Sequence, residues 1–287
     1  MKLPVIPPEV PTHDNTMMSD WARCPFLYNV RHVLGLRRPG TSAALQYGSA
    51  LHAGLAVWYE EWDPVKAAEA IINYTPWEVI PDDFRTKERA VAKFADYVQH
   101  YGEEESWFGG RAGTILTETA FDIEDDDGFR WGGRIDYLPL YHGKPWVLDH
   151  KTTARFSSGY FDQFYHSPQM SGYVWAGGKL HGQTVAGVII NCIVTHKVPK
   201  TAEQQLHRRP ILYDEWKLSE WKEAMIQNYH AIAEARASNN FPRNRYNCIN
   251  KYGHCPLFDI CKIPERNRED MMERELIHDP WKWDDEQ

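Results

Sequence analysis

Residues 184–196, TVAGVIINCIVTH, constrain the fold of this chain more than any other stretch. The run is almost continuously apolar and rich in β-branched residues, yet too short to span a bilayer. A strand with that pattern is covered on both faces. Covering both faces takes two further layers, and helices of suitable length flank the run, so an α/β architecture follows. Immediately upstream the periodicity is two. TILTETAFDIE (114–124), FRWGGRIDYLPL (129–140) and PWVLDHKTT (145–153) alternate as strands. The short turns EDDDG (124–128) and YHGK (141–144) join them into an antiparallel meander.

Elsewhere the apolar spacing is helical. WARCPFLYNVRHVLG (21–35) reads as a helix capped by Ser19 or Asp20, broken near Pro25 and terminated by Gly35. SAALQYGSALHAGLAVWYEEW (42–62) is a long Ala-rich helix carrying His52. PDDFRTKERAVAKFADYVQHYG (81–102) adds another, whose basic face of Arg85, Lys87, Arg89 and Lys93 reads as solvated surface. Ser167 and Pro168 start a helix through QMSGYVWA that Gly177-Gly178 should stop, and 213–238 form a long amphipathic helix. The order is helices, three strands, helix, strand, helix: α/β with a mixed central sheet flanked by helices. The expected organisation is one domain, with a helical N-terminal region (1–105), a core (113–200) and a long helix with a Cys-rich tail (210–287).

Composition narrows the partners. The chain has 287 residues, 43% hydrophobic and 25% charged, enough for a sizeable core. Its formal charge of -8 repels polyanions, so contact with nucleic acid must be local, through a basic groove or metal ions. Candidate basic groups are Arg37-Arg38, Lys197-Lys200 and His207-Arg208-Arg209. Twelve Trp and fifteen Tyr include potential stacking platforms for unpaired bases, although most belong to a core. No run is apolar and long enough for a membrane helix, and residues 1–10 lack a signal-peptide core, so the expectation is a cytoplasmic protein without membrane contact.

The strand ending Asp149-His150-Lys151 raises a chemical question. Asp149 and Lys151 are two apart, so both leave one face, and Asp136 on the neighbouring strand can reach the same point. Two carboxylates aimed at one spot either shift in pKa or bind a cation. An oxygen-rich site suits Mg²⁺ or Mn²⁺, which activates water and offsets phosphoryl charge. Lys151 adds positive charge where it would grow negative in a transition state. A surface ion pair at a strand end is the plain alternative for Asp-x-Lys alone. Gln169 and Tyr173 share a face of the next helix, and His52 is a possible nitrogen ligand.

In order, GSALH (48–52), GRID (133–136), DHK (149–151) and QMSGY (169–173) resemble the PD-(D/E)XK nucleases, specifically their RecB-like branch. That resemblance implies a restriction-endonuclease-like core. It makes His52, Asp136, Asp149 and the His150 carbonyl metal ligands and Lys151 the catalytic lysine. Gln169 and Tyr173 would position the substrate strand, and Glu118 would stand behind the ligands or serve structure.

Five cysteines complete the pattern. Cys192 lies mid-strand, where a small buried hydrophobe explains it. Cys24, Cys248, Cys255 and Cys261 make four thiols, the number needed by a [4Fe–4S] cluster or a tetrahedral zinc. No C-x₂-C knuckle occurs, which favours the cluster. The arrangement is similar to that of the RecB-like exonucleases of CRISPR adaptation and recombinational repair, with one Cys before the core and three after it. The chain departs from them between Cys248 and Cys255, where six residues replace the usual two. The implied activity is metal-dependent hydrolysis of DNA, as a single-strand-preferring exonuclease acting at free ends. It could work with partner proteins of replication, repair or CRISPR adaptation. A catalytically silent DNA-binding or assembly subunit is the alternative, against which the intact Asp136, Asp149 and Lys151 argue.

Overall fold

The computed structural model describes residues 10–102, 117–198, 200–250 and 253–282. Residues 114–116, the expected start of the first strand, lie outside them. The chain divides into two compact units, each built from separate stretches: Met1–Gly40, Asp122–Gly133 and Lys222–Asp285 in one, Thr41–Phe121 and Arg134–Trp221 in the other.

In the first unit, α1 (Asn15–Arg23) is capped by Asp14, whose carboxylate accepts from the Met17 N–H at 2.7 Å. The expected caps Ser19 and Asp20 lie inside this helix. Asp20 instead pairs with Arg31 at 2.7 Å and His32 at 2.8 Å. Cys24 is extended and breaks the helix, as Pro25 foretold. Then come α2 (Pro25–Tyr28) and a π-helical turn, Asn29–Val33. Gly35 ends the run at φ 65°, a conformation that favours glycine.

The second unit holds three N-terminal helices. These are α3 (Ala43–Glu61), capped by Ser42, α4 (Pro64–Asn73), capped by Asp63, and α5 (Lys87–Tyr101), capped by Thr86. The last begins six residues later than its sequence pattern suggests. Its basic face is consumed rather than solvated. Lys87 Nζ donates to the carbonyls of Ile72 (2.6 Å) and Tyr74 (2.8 Å) at the end of α4. Arg89 donates to the Lys197 carbonyl, and Lys93 is buried against Gln205.

The central sheet has five strands in spatial order β1 (Thr117–Glu124), β2 (Arg130–Tyr137), β3 (Val147–Thr153), β4 (Gly187–Val194) and β5 (Leu206–Leu212). β2 and β3 are antiparallel, β3 and β4 parallel, β4 and β5 antiparallel, so the sheet is mixed. All eight residues of β4 are buried, as its composition requires. Each of its large aliphatic side chains contributes about 1.5–3 kcal/mol by leaving water. β5 was hidden in LHRRPIL, whose charges and Pro210 do not read as a strand. It lies at the sheet edge, where a missing N–H is tolerated.

Helix α6 (Pro168–His181) covers one face of the sheet. Ser167 caps it as expected, but Gly177 and Gly178 do not stop it; Gly182 does, at φ 67°. A Cβ on Gly177 would meet Leu138 at 3.0 Å and Val185 at 3.3 Å, so that glycine serves close packing of helix on sheet. Helix α7 (Glu215–Ser238) follows. In the first unit's tail, α8 (Phe258–Lys262) and α9 (Arg268–Glu275) pack Leu257, Ile260 and Leu276 against Cys24, Leu27 and Val30. Leu36–Arg37 pairs there with Ile277–His278. Arg37 forms an ion pair with Asp279 and Arg38 with Glu275, so these two arginines are engaged within the fold.

Candidate metal centre

The two faces of β3 carry different chemistry. A Cβ on Gly177 of α6 would also lie 3.5 Å from Val147, so Val147, Asp149 and Lys151 share the face that α6 covers. Thr152 meets α3 on the other face, which His150 shares. A Cβ on Gly48 would lie 2.9 Å from Thr152 Oγ1, closer than side chains tolerate. Glycine at 48 therefore lets α3 approach β3, and one helical turn later it delivers His52.

Asp149 is almost wholly buried, its side chain 1% exposed, and its Oδ1 has no hydrogen-bond partner. The Lys151 ammonium lies 2.6 Å from Oδ2, a close ion pair. Burial lifts the Asp149 pKa to about 6 against the pull of Lys151, and Asp136 adds to the rise. Burial works against the charge on Lys151, but Asp149 and then Asp136 outweigh it and hold that ammonium charged. A buried carboxylate is costly unless its charge is offset, and the Lys151 ammonium meets one of its two oxygens.

Asp136 approaches from β2, whose Tyr137 pairs with Leu148. Its Oδ2 accepts the His150 backbone N–H at 2.7 Å and lies 3.5 Å from His52 Nδ1. Glu118 Oε1 is 3.8 Å from the same nitrogen. Glu118 sits in β1 at φ 41°, a local distortion of the kind that re-aims a strand side chain. One ligand atom each from His52, Glu118 and Asp136 lies within 4.8 Å of the others, the spacing of a metal site. Burial alone would lower the His52 pKa, but Asp136 and then Glu118 lift it to about 10. Burial would raise Asp136, but His52 outweighs it and holds that carboxyl below the usual range. The cluster thus holds a proton where it has room for a cation.

A family profile described as the PD-(D/E)XK nuclease superfamily matches residues 16–262. The chain belongs to this superfamily. PD-(D/E)XK nucleases use divalent metals, and the His52–Glu118–Asp136 group offers one a place. No curated protein matches the sequence. Among solved structures, a protein of Eubacterium rectale provisionally named an exonuclease aligns at a TM-score of 0.50 with 14% identity, covering 88% of this chain and 87% of that one. A protein called SSO0001 aligns at 0.30 with 21% identity, covering 74% and 83%. The first is a likeness of fold.

In this PD-(D/E)XK chain the motif residues fall into three sets. His52 and Asp136 join Glu118, which the sequence had placed behind the ligands or in a structural role. Asp149 joins Lys151. Gln169 and Tyr173 bond to each other at 3.1 Å along α6, and Tyr173 packs edge-on against Phe121. The His150 side chain was given no part by its motif. It is buried, with Nδ1 2.7 Å from the amide nitrogen of Asn191. Asn191 was missed, and Arg208 was read only as a candidate basic group for nucleic acid, because their contact exists only where β5 lies beside β4. In the first unit, Cys24, Cys248, Cys255 and Cys261 line one cavity of about 540 Å³ with Arg243, Lys262 and Arg268. Burial raises the Cys255 and Cys261 thiols, and the Cys24 sulfur accepts the Asn244 N–H at 3.3 Å. No helix among the described residues is long and apolar enough to cross a membrane.

Proposed function

We propose that this chain is a Mg²⁺- or Mn²⁺-dependent deoxyribonuclease that degrades single-stranded DNA from free ends. The buried Asp149 carboxylate, with Oδ1 unbonded and an ammonium 2.6 Å from Oδ2, carries the reading. A lone surface ion pair would not bury its acid. The residues fit a hard cation: Asp136 and Glu118 offer oxygen and His52 a nitrogen, and Asp149 with the His150 carbonyl would complete the set. Such an ion activates water and offsets charge on a phosphoryl oxygen. The chain's own groups do the rest. Asp136 is oriented by the His150 N–H, and His52 must surrender its proton to serve as a ligand. Lys151, kept charged by Asp149, stabilises negative charge growing on the phosphate. Gln169 and Tyr173 hold the substrate strand on the α6 side. The provisional name of the Eubacterium rectale protein supports exonuclease action, and the two units are taken to act as one nuclease.

Cys24, Cys248, Cys255 and Cys261 would hold a [4Fe–4S] cluster. Their shared cavity supports this. When bound, such a cluster cross-links the chain ends as a structural metal does. End-labelled single- and double-stranded DNA incubated with Mn²⁺ tests the activity. Progressive shortening of single strands by the parent, and none by Lys151→Ala, is the expected result. A folded Lys151→Ala variant that cuts at the parental rate would remove the assignment.

A further inference from the structure

His150, Asn191 and Arg208 occupy one row across β3, β4 and β5, on the face opposite Asp149 and Lys151. Arg208 directs its donors inward. Its Nη2 reaches Tyr97 Oη at 2.8 Å, Asn191 Oδ1 at 3.3 Å and Tyr59 Oη at 3.4 Å. The guanidinium lies 4.0 Å over the Tyr101 ring. Arginine can only donate, so the Asn191 amide must turn its oxygen toward it. The amide nitrogen is then left to donate to Tyr97 Oη at 3.0 Å and His150 Nδ1 at 2.7 Å. His150 Nδ1 is therefore an acceptor, and the ring carries its hydrogen on Nε2. Tyr97, receiving from Arg208 and Asn191, has its own hydrogen for Tyr59 Oη at 2.5 Å.

We propose that Arg208 is a positioning residue for the metal centre, holding His150 through Asn191 and helix α3 through Tyr59. Both ends of this network lead to ligands. The His150 N–H orients Asp136, and its ring lies 5.7 Å from both Tyr59 and His52, stacked on the first and edge-on to the second. Tyr59 stands seven residues after His52, two turns along α3. One cation on β5 thus fixes the β3 peptide between Asp149 and Lys151 and the helix that delivers His52. This assigns Arg208 an inward role in place of a DNA-facing one. It deepens the nuclease reading and rests on it for the use of the metal.

The test needs no cleavage assay. In the metal-free parent, the imidazole ¹⁵N shifts of His150 should report hydrogen on Nε2 and a bare Nδ1. Asn191→Asp keeps a partner for Arg208 but presents an acceptor to His150, so the hydrogen should move to Nδ1. Arg208→Met should weaken Mn²⁺ binding about tenfold, the scale of other losses behind a metal ligand, with Arg208→Lys recovering part of it. If Arg208→Met fails to fold, Asn191→Asp decides by the same two readouts. A parent with hydrogen on Nδ1, or variants with parental tautomer and Mn²⁺ affinity, would overturn the proposal. A parent that binds Mn²⁺ in this way yet cuts no DNA would sink the nuclease reading and leave this one standing.

Discussion

At the scale of single residues, the chemistry turns on charges held against burial. Asp149 has its ordinary carboxylate pKa raised to about 6, so ionising it inside the fold is unfavourable. The sign is that of a raised acid: metal-free stability falls as pH rises from the unfolded value, near 4, through about 6. Asp149→Asn should flatten that fall between about pH 4 and 6 and abolish the gain in stability from added Mg²⁺. Thermal melts with and without Mg²⁺ check both. His52 has the opposite sign. Its folded pKa of about 10 lies above the ordinary 6.5, so its contribution is full below 6.5 and lost as pH rises through 10. A metal must displace that proton. Mn²⁺ affinity should therefore rise with pH across this window, with about one proton released per ion. Calorimetry in buffers of different ionisation enthalpy measures the release, and a pH-independent affinity would show that His52 is no ligand.

At the scale of elements, two packing contacts set the geometry of the site. Gly48 brings α3 against Thr152, with 2.9 Å from a hypothetical Cβ to Oγ1. Gly48→Ala should push α3 outward, cost about 1–3 kcal/mol of overpacking and weaken Mn²⁺ binding by moving His52. Adding Thr152→Ala should restore most of both, because the clash is with that hydroxyl alone; failure of the double variant to recover would place the fault elsewhere. The strand signals and this helix were legible in the sequence, since their periods of 2.0 and 3.6 are local properties. The end of α6 was not. Gly177 looks like a stop, but its absent side chain is required by Leu138 and Val185, which are distant in sequence. β5 escaped for a related reason: its Arg208 faces Asn191 and Tyr97, and such partners make a charge acceptable there.

At the scale of the whole molecule, four thiols, with 223 residues between the first and the next, line one cavity of the first unit. Protein purified without oxygen should be brown and contain iron with acid-labile sulfide. Cys255→Ser should lose the colour and lower the melting temperature. Cys248→Ser is the sharper variant, because its spacing departs from the related exonucleases. Full retention of iron in it would restrict the ligand set to three cysteines. Colourless parental protein with stoichiometric zinc would reverse the metal assignment.

The α/β class, the three-strand meander and the motif order from His52 to Tyr173 were determined by the sequence itself. Each depends on side-chain alternation, helical spacing or residue type over a few neighbouring positions. What only the tertiary structure decided is which charges meet. Glu118 enters the ligand group through a distorted β1. Arg37 and Arg38 are spent on acids of the tail, Arg208 on a buried amide, and Asp149 meets the Lys151 ammonium. Charge pairing depends on distances of 3–4 Å and on burial, and neither is encoded by residues adjacent along the chain.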